Sequence, residues 1–420
     1  MTADIISLLA GIEPGSELAA VRTLRPQATE NAQRSFAALL EPAEPGTFPL
    51  AERYAVAAFV ARLHGFDQAT AFYADLLGDE APEHVAAIES EAASAAVAGP
   101  FGLYRETGLQ SENAPGAAWA PTAPAALGER LAAALAHAHL LVVRPRESEA
   151  GELRKLVAAG WSADDIVSLS QLVAFLAFQL RLAWGLRALG GADLATVAAP
   201  APSAAADSAE AAPATPLITD YPQLARPEAF TQQGLGWVPW LAPVAEEELS
   251  ERQLEALVEP ARAKMPYFRL LARDPGALEA RTLTDLDIFF NVDGGIGRAE
   301  RELAATAASR SNGCVFCASV HSAAATRESG READVQRLLD EGVGADLGDE
   351  RWNAVVAASV SLTRTPLAFG AEDVARLRAT GLDDASIVDV IGGAAFFNWA
   401  NRLMLSLGEP EVPARRAVGA

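Results

Sequence analysis

The sequence predicts an all-α protein, and three observations carry that reading. Apolar residues recur at helical spacing along most of the chain, and no run alternates as a half-buried strand does. No βαβ rhythm is present. Helix start and stop signals bracket the periodic stretches: Ser250-Glu251-Arg252-Gln253 has the capping-box form, Asn312-Gly313 tolerates a left-handed corner, and Gly330 ends another periodic run. The elements follow in order. An amphipathic helix is expected over 250–273, and Gly294-Gly295 marks a turn. Helices then follow over 298–310, 314–329, 332–341, 349–364, 372–380 and 384–407.

Composition bounds the rest. Half of the 420 residues are hydrophobic and 21% are charged, which suits a folded chain and excludes a disordered one. Lys and Arg number 33 against 55 Asp and Glu, a net charge of −22. Such an acidic chain lacks the footprint of a nucleic-acid or anionic-membrane binder, so neither is expected as a partner. Two cysteines exclude a disulfide-stapled secreted scaffold. The N-terminus has no basic segment before its short apolar run, so no signal peptide is expected. The apolar stretch 169–186 is interrupted by Ser170, Gln171, Gln179 and Arg181 and reads as a buried helix, not a membrane span. The expected location is the cytoplasm.

The stretch GADLATVAAPAPSAAADSAEAAPATP has linker composition. It divides the chain into 1–190, a linker over 191–217, and 218–420. The two halves resemble each other. With a shift of 221 residues, 17 of the 58 positions from Glu129 to Leu186 match without a gap, among them Pro145 with Pro366, Gly160 with Gly381 and Arg181 with Arg402. A duplication is the natural source, and two copies of one helical unit are expected to pack as a pseudo-dimer.

Both cysteines lie in Cys314-Val315-Phe316-Cys317, at the start of a helix. That spacing puts both sulfurs on one face, and helix N-terminal N–H groups favour a thiolate and lower its pKa. His321 follows Cys317 by four residues and shares its face. Glu302 lies twelve residues before Cys314 on the preceding helix, and an antiparallel hairpin would return its carboxylate to the cysteines. Other readings compete. A zinc site needs two more ligands, but the remaining histidines, His64, His84, His137 and His139, lie in the other half without finger-like spacing. The cysteines would also fit an inert core. A thioredoxin-type fold would need strands around them.

Arg301-Glu302-Leu303, then Asn312-Gly313-Cys314-Val315-Phe316-Cys317, then His321, resembles the core of the AhpD-like alkylhydroperoxidases of the carboxymuconolactone decarboxylase superfamily. The resemblance implies two such helical domains in tandem and a peroxidase mechanism without cofactor or metal. It makes Cys317 the peroxidatic thiol, Cys314 the resolving thiol, and Glu302 with His321 the proton relay. It implies a small hydroperoxide substrate, an external dithiol or disulfide-reductase protein as electron donor, and assembly into a homo-oligomer, dimer or trimer. Phe316 stands where the best-known alkylhydroperoxidase has a second His, so one relay element is missing. In the first half, Phe66, Ala69 and Tyr73 occupy the positions of Cys314, Cys317 and His321, and Tyr54 that of Glu302. That half is expected to be catalytically silent and to carry an extra loop over 100–124. Two alternatives differ in chemistry: a decarboxylase or isomerase like the superfamily's namesake, and a redox-sensing or assembly protein. Arg402, matched by Arg181, is expected in a structural ion pair. Asn398 and Asn401 are expected to cap neighbouring helices or line the pocket near the cysteines.

Overall fold

The computed structural model describes residues 4–203 and 213–414. The expected linker therefore lies partly outside the described residues, as do the first three residues of the N-terminal segment. What is described is helical almost throughout. Two long helices, Ala163–Leu189 and Asp384–Ser406, pack against each other at the centre. The first is long and apolar enough to cross a bilayer, but 89% of its most apolar window is buried inside the protein. Around this pair the halves repeat one helix order. Pro26–Leu40 packs on Pro275–Phe290 across the halves. Leu50–His64 forms a hairpin with Asp67–Glu80, as Arg298–Asn312 does with Val315–Ser329. Both hairpins turn at a left-handed glycine, Gly65 and Gly313.

The central pair is an aromatic zipper. Trp399 stacks on Phe178 at 5.5 Å and meets the edge of Phe175 at 5.2 Å, while its indole N–H donates to Gln171 Oε1 at 2.9 Å. Arg181 and Arg402 lie fully buried beside it. The expected ion pair at Arg402 is not there. Arg402 donates to Val142 O, at the end of the Glu129–Val143 helix, and to Asn398 O and Oδ1. Arg181 donates to Thr363 O, at the end of the Glu350–Thr363 helix, to Thr365 Oγ1 and to His64 Nε2. Each arginine thus caps the C-terminal end of a helix in the opposite half, where unpaired carbonyls and the negative pole of the helix receive it. Burial lowers the pKa of both, and the charge of Arg402 adds to the effect on Arg181.

Three other expectations are revised. The 250–273 run breaks into Glu251–Ala256, a 3₁₀ turn Pro260–Lys264, and Pro266–Leu271, because two prolines interrupt it and Val258 takes positive φ. A two-stranded antiparallel ribbon is present: β1 (Gly236–Pro239) pairs with β2 (Gly408–Glu411) directly after the last helix. Neither strand carries an apolar alternation, so no pattern announced it. The 100–124 segment is more than a surface loop. It bridges the halves through a Gly108 N–H to Glu228 O, just after the Gly99–Thr365 backbone bonds that precede it, and it contains a 3₁₀ turn, Thr107–Glu112.

The crossing of the central helices depends on Gly185, where an added Cβ would lie 2.6 Å from Ile391 Cγ2. Gly185→Val is expected to destabilise the protein by about 2 kcal/mol in urea unfolding. Gly78→Ala, in the last turn of Asp67–Glu80 with its nearest neighbour 4.0 Å away, is expected to stabilise by roughly 0.5 kcal/mol.

Candidate active site

The cysteine site is built on the hairpin Arg298–Asn312 and Val315–Ser329. Its corner is held from several sides. Cys314 is the N-cap of the second helix, and its N–H returns to Ser309 O at 2.9 Å. Asn312 Nδ2 donates to Asn398 Oδ1 at 3.2 Å and to Asn401 Oδ1 at 3.0 Å. Asn401 donates in turn to Ser309 Oγ, and Asn398 to Thr363 Oγ1. These amides of the last helix therefore hold the corner that presents Cys314. The first half contributes as well: Arg146 Nη2 donates to Ser311 O at 2.6 Å, and its side chain lies where a Cβ on Gly313 would clash.

Both thiols are free and buried, Cys314 at 1% exposure and Cys317 at 4%. The helix start does not lower the Cys314 pKa. Burial pushes it well above the ordinary thiol range, the Cys317 sulfur adds to the rise, and the Cys317 backbone N–H offsets only part. The first half packs on the neighbouring residues of the same helix turn. Tyr104 and Leu109, on its inserted segment, pack with Phe230 and Leu339 against Val315 and Ala318. Glu106 from the same segment is near enough for its charge to raise Cys314 further.

The hairpin brings Glu302 onto His321: Oε2 and Nδ1 are 2.5 Å apart. Arg298, one turn earlier, donates Nε–H to Glu302 Oε1 at 3.0 Å. Burial raises the Glu302 carboxyl, but His321 and Arg298 outweigh it and hold the pKa below the usual carboxylate value. The ionised carboxylate accepts a hydrogen bond from Nδ1–H, so in the neutral ring the lone pair is on Nε2. Phe397 fixes the ring plane edge-on at 3.9 Å, with Phe289 at 5.6 Å. His321 is one turn beyond Cys317 on the same helix face. The arrangement therefore supplies a dithiol, a held imidazole and a carboxylate that sets its tautomer.

Residues 275–360 match the model of the carboxymuconolactone decarboxylase family. The match supports a place in that superfamily for this segment. The matched segment contains Glu302, Cys314, Cys317 and His321, and it begins at the Pro275–Phe290 helix. No curated protein matches the chain. Within the family segment, sequence reading passed over Arg298, although its four-residue spacing to Glu302 is the usual helical pair. Asp285 and Arg281, on the Pro275–Phe290 helix, also lie outside the elements that the sequence predicts. Asp285 lies within electrostatic reach of Arg281, His321 and Glu302, and burial raises its pKa. His64 shares nothing with this site: it is fully buried, with Nδ1 to Val60 O and Nε2 to Arg181.

Two outcomes follow. Glu302 is held ionised, so its contribution to stability is present above pH 4.5 and is lost as pH falls through its lowered pKa. Glu302→Gln is expected to cost about 2 kcal/mol at pH 7 and far less at pH 3, read by urea unfolding. Iodoacetamide at neutral pH should modify Cys314 at least about tenfold more slowly than free cysteine, by peptide mapping of the reduced protein.

Proposed function

We propose that this chain is a thiol-dependent peroxidase, with residues 218–420 as the redox domain and residues 1–190 as a silent partner in an internal pseudo-dimer. One observation supports it most: a hydrogen-bonded Glu302–His321 pair stands on the same helical hairpin as a reduced Cys-x-x-Cys. A dithiol with its own held base is the equipment for nucleophilic attack on an O–O bond. A namesake-type decarboxylase or isomerase would leave both cysteines without a role.

Cys317 acts as the peroxidatic residue. Its thiolate attacks the terminal oxygen of the hydroperoxide, the O–O bond breaks, and His321 gives its proton to the departing alkoxide or hydroxide. The products are a Cys317 sulfenic acid and an alcohol or water. Glu302 stabilises the imidazolium before transfer and keeps the ring oriented after it. Cys314, at the N-cap one turn before Cys317, is the resolving residue. Cys314 sulfur then displaces hydroxide from the sulfenic acid, and its proton departs in the water formed. An external dithiol or a reductase protein restores the two thiols. That cycle suits a reducing compartment such as the cytoplasm. Further copies of the chain complete a closed dimer or trimer.

Mass spectrometry after one equivalent of hydroperoxide tests the assignment. Wild type is expected to lose two hydrogens. Cys314→Ser should trap a sulfenic acid, and Cys317→Ser should keep its remaining thiol. Survival of both thiols in wild type would overturn the peroxidase reading.

A further inference from the structure

Eight arginines are buried among the described residues: Arg22, Arg25, Arg53, Arg181, Arg281, Arg301, Arg310 and Arg402. Seven are hydrogen-bonded to carboxylates, carbonyls or other polar groups. Arg281, 6% exposed, makes no hydrogen bond or ion pair among the described residues, and its Nε is an orphan donor. A guanidinium left this way is costly to bury. Its surroundings offer a second orphan. The Tyr267 ring centroid is 5.8 Å from Arg281 Cζ, and the Tyr267 hydroxyl is sealed from solvent without a partner.

The pair is close to the redox residues. Arg281 Cζ sits 5.2 Å from the Phe396 ring, Phe396 is 5.8 Å from Phe397, and Phe397 touches His321. The Tyr267 hydroxyl is within electrostatic reach of both Cys314 and Cys317. Both groups lack a hydrogen-bond acceptor among the described residues, although the Asp285 carboxylate is within electrostatic reach of each. Asp285, one helical turn from Arg281, does not come within ion-pair distance. With Pro26 aligned on Pro275, the first half has Ala32 in place of Arg281 and Phe36 in place of Asp285. The half without cysteines has no guanidinium there either.

We infer that Arg281 and the Tyr267 hydroxyl bind a carboxylate on the substrate, so the substrate is a carboxylate-bearing organic hydroperoxide. A carboxylate matches the planar fork of a guanidinium and leaves one lone pair for the phenol. The hydroperoxide part rests on the peroxidase reading; the anion site does not.

The probes are cumene hydroperoxide and its para-carboxylated analogue, compared by stopped-flow oxidation of the reduced full-length protein. Wild type is expected to react at least about tenfold faster with the carboxylated form. Arg281→Met should bring the two rates within about twofold of each other, and Arg281→Lys should retain part of the preference. Equal rates in wild type, or an unchanged preference in Arg281→Met, would overturn the inference. A binding arm separates the two readings. Para-isopropylbenzoate, which has no peroxide, should raise the melting temperature of wild type but not of Arg281→Met, with circular dichroism checking that the variant folds. If that shift appears while no hydroperoxide oxidises the thiols, the anion site stands and the peroxidase reading falls. If the benzoate shifts neither protein, or both equally, the anion site falls.

Discussion

Two guanidinium groups without carboxylate partners hold the molecule together at its centre. Arg181 and Arg402 each leave one long helix and cap the end of a helix belonging to the other half. An ion pair would have joined two side chains and left the carbonyl ends unmet. Here the acceptors are backbone, so each arginine fixes the position of a whole helix. The arrangement also places two like charges in one apolar core, which the aromatic zipper of Phe175, Phe178, Phe396 and Trp399 must enclose. Because Asn398 both accepts from Arg402 and meets Asn312, the central crossing and the cysteine corner are tied through one side chain.

The site inherits its rigidity from that crossing. The Asn312–Gly313 corner is closed by amides of the last helix on one side and by Arg146 of the first half on the other. Cys314 and Cys317 then enter a helix start already fixed in space. The usual rule that a helix N-terminus lowers a thiol pKa fails at Cys314 because burial is the stronger effect. A few N–H dipoles cannot replace the water that a buried thiolate would lose.

Much of this was legible in the sequence, for identifiable reasons. The helices from Arg298 to Ser406 carried caps, glycine stops and helical periodicity, and their bounds differ from the sequence reading by a residue or two. The nearness of Glu302 to His321 followed from hairpin geometry and the position of Asn312-Gly313. What escaped depends on long-range packing. Nothing near Arg402 in sequence says that its acceptor is Val142. Gly408-Glu409-Pro410-Glu411 has no strand pattern, yet pairs because the last helix delivers it beside Gly236–Pro239. The Pro275–Phe290 helix, with Arg281 and Asp285, was not read, although Asp274 caps it and Pro275 opens it.

The segment carrying Tyr104, Glu106 and Leu109 belongs to the half that has no cysteines, yet it walls the first turn of the cysteine helix. The packing of the cysteine helix is thereby shared between the two halves. Substitutions in residues 104–112 can alter the packing of that turn while Glu302, Cys314, Cys317 and His321 stay unchanged. The half without cysteines thus helps to hold the helix that carries them, and its sequence can vary there without changing either thiol.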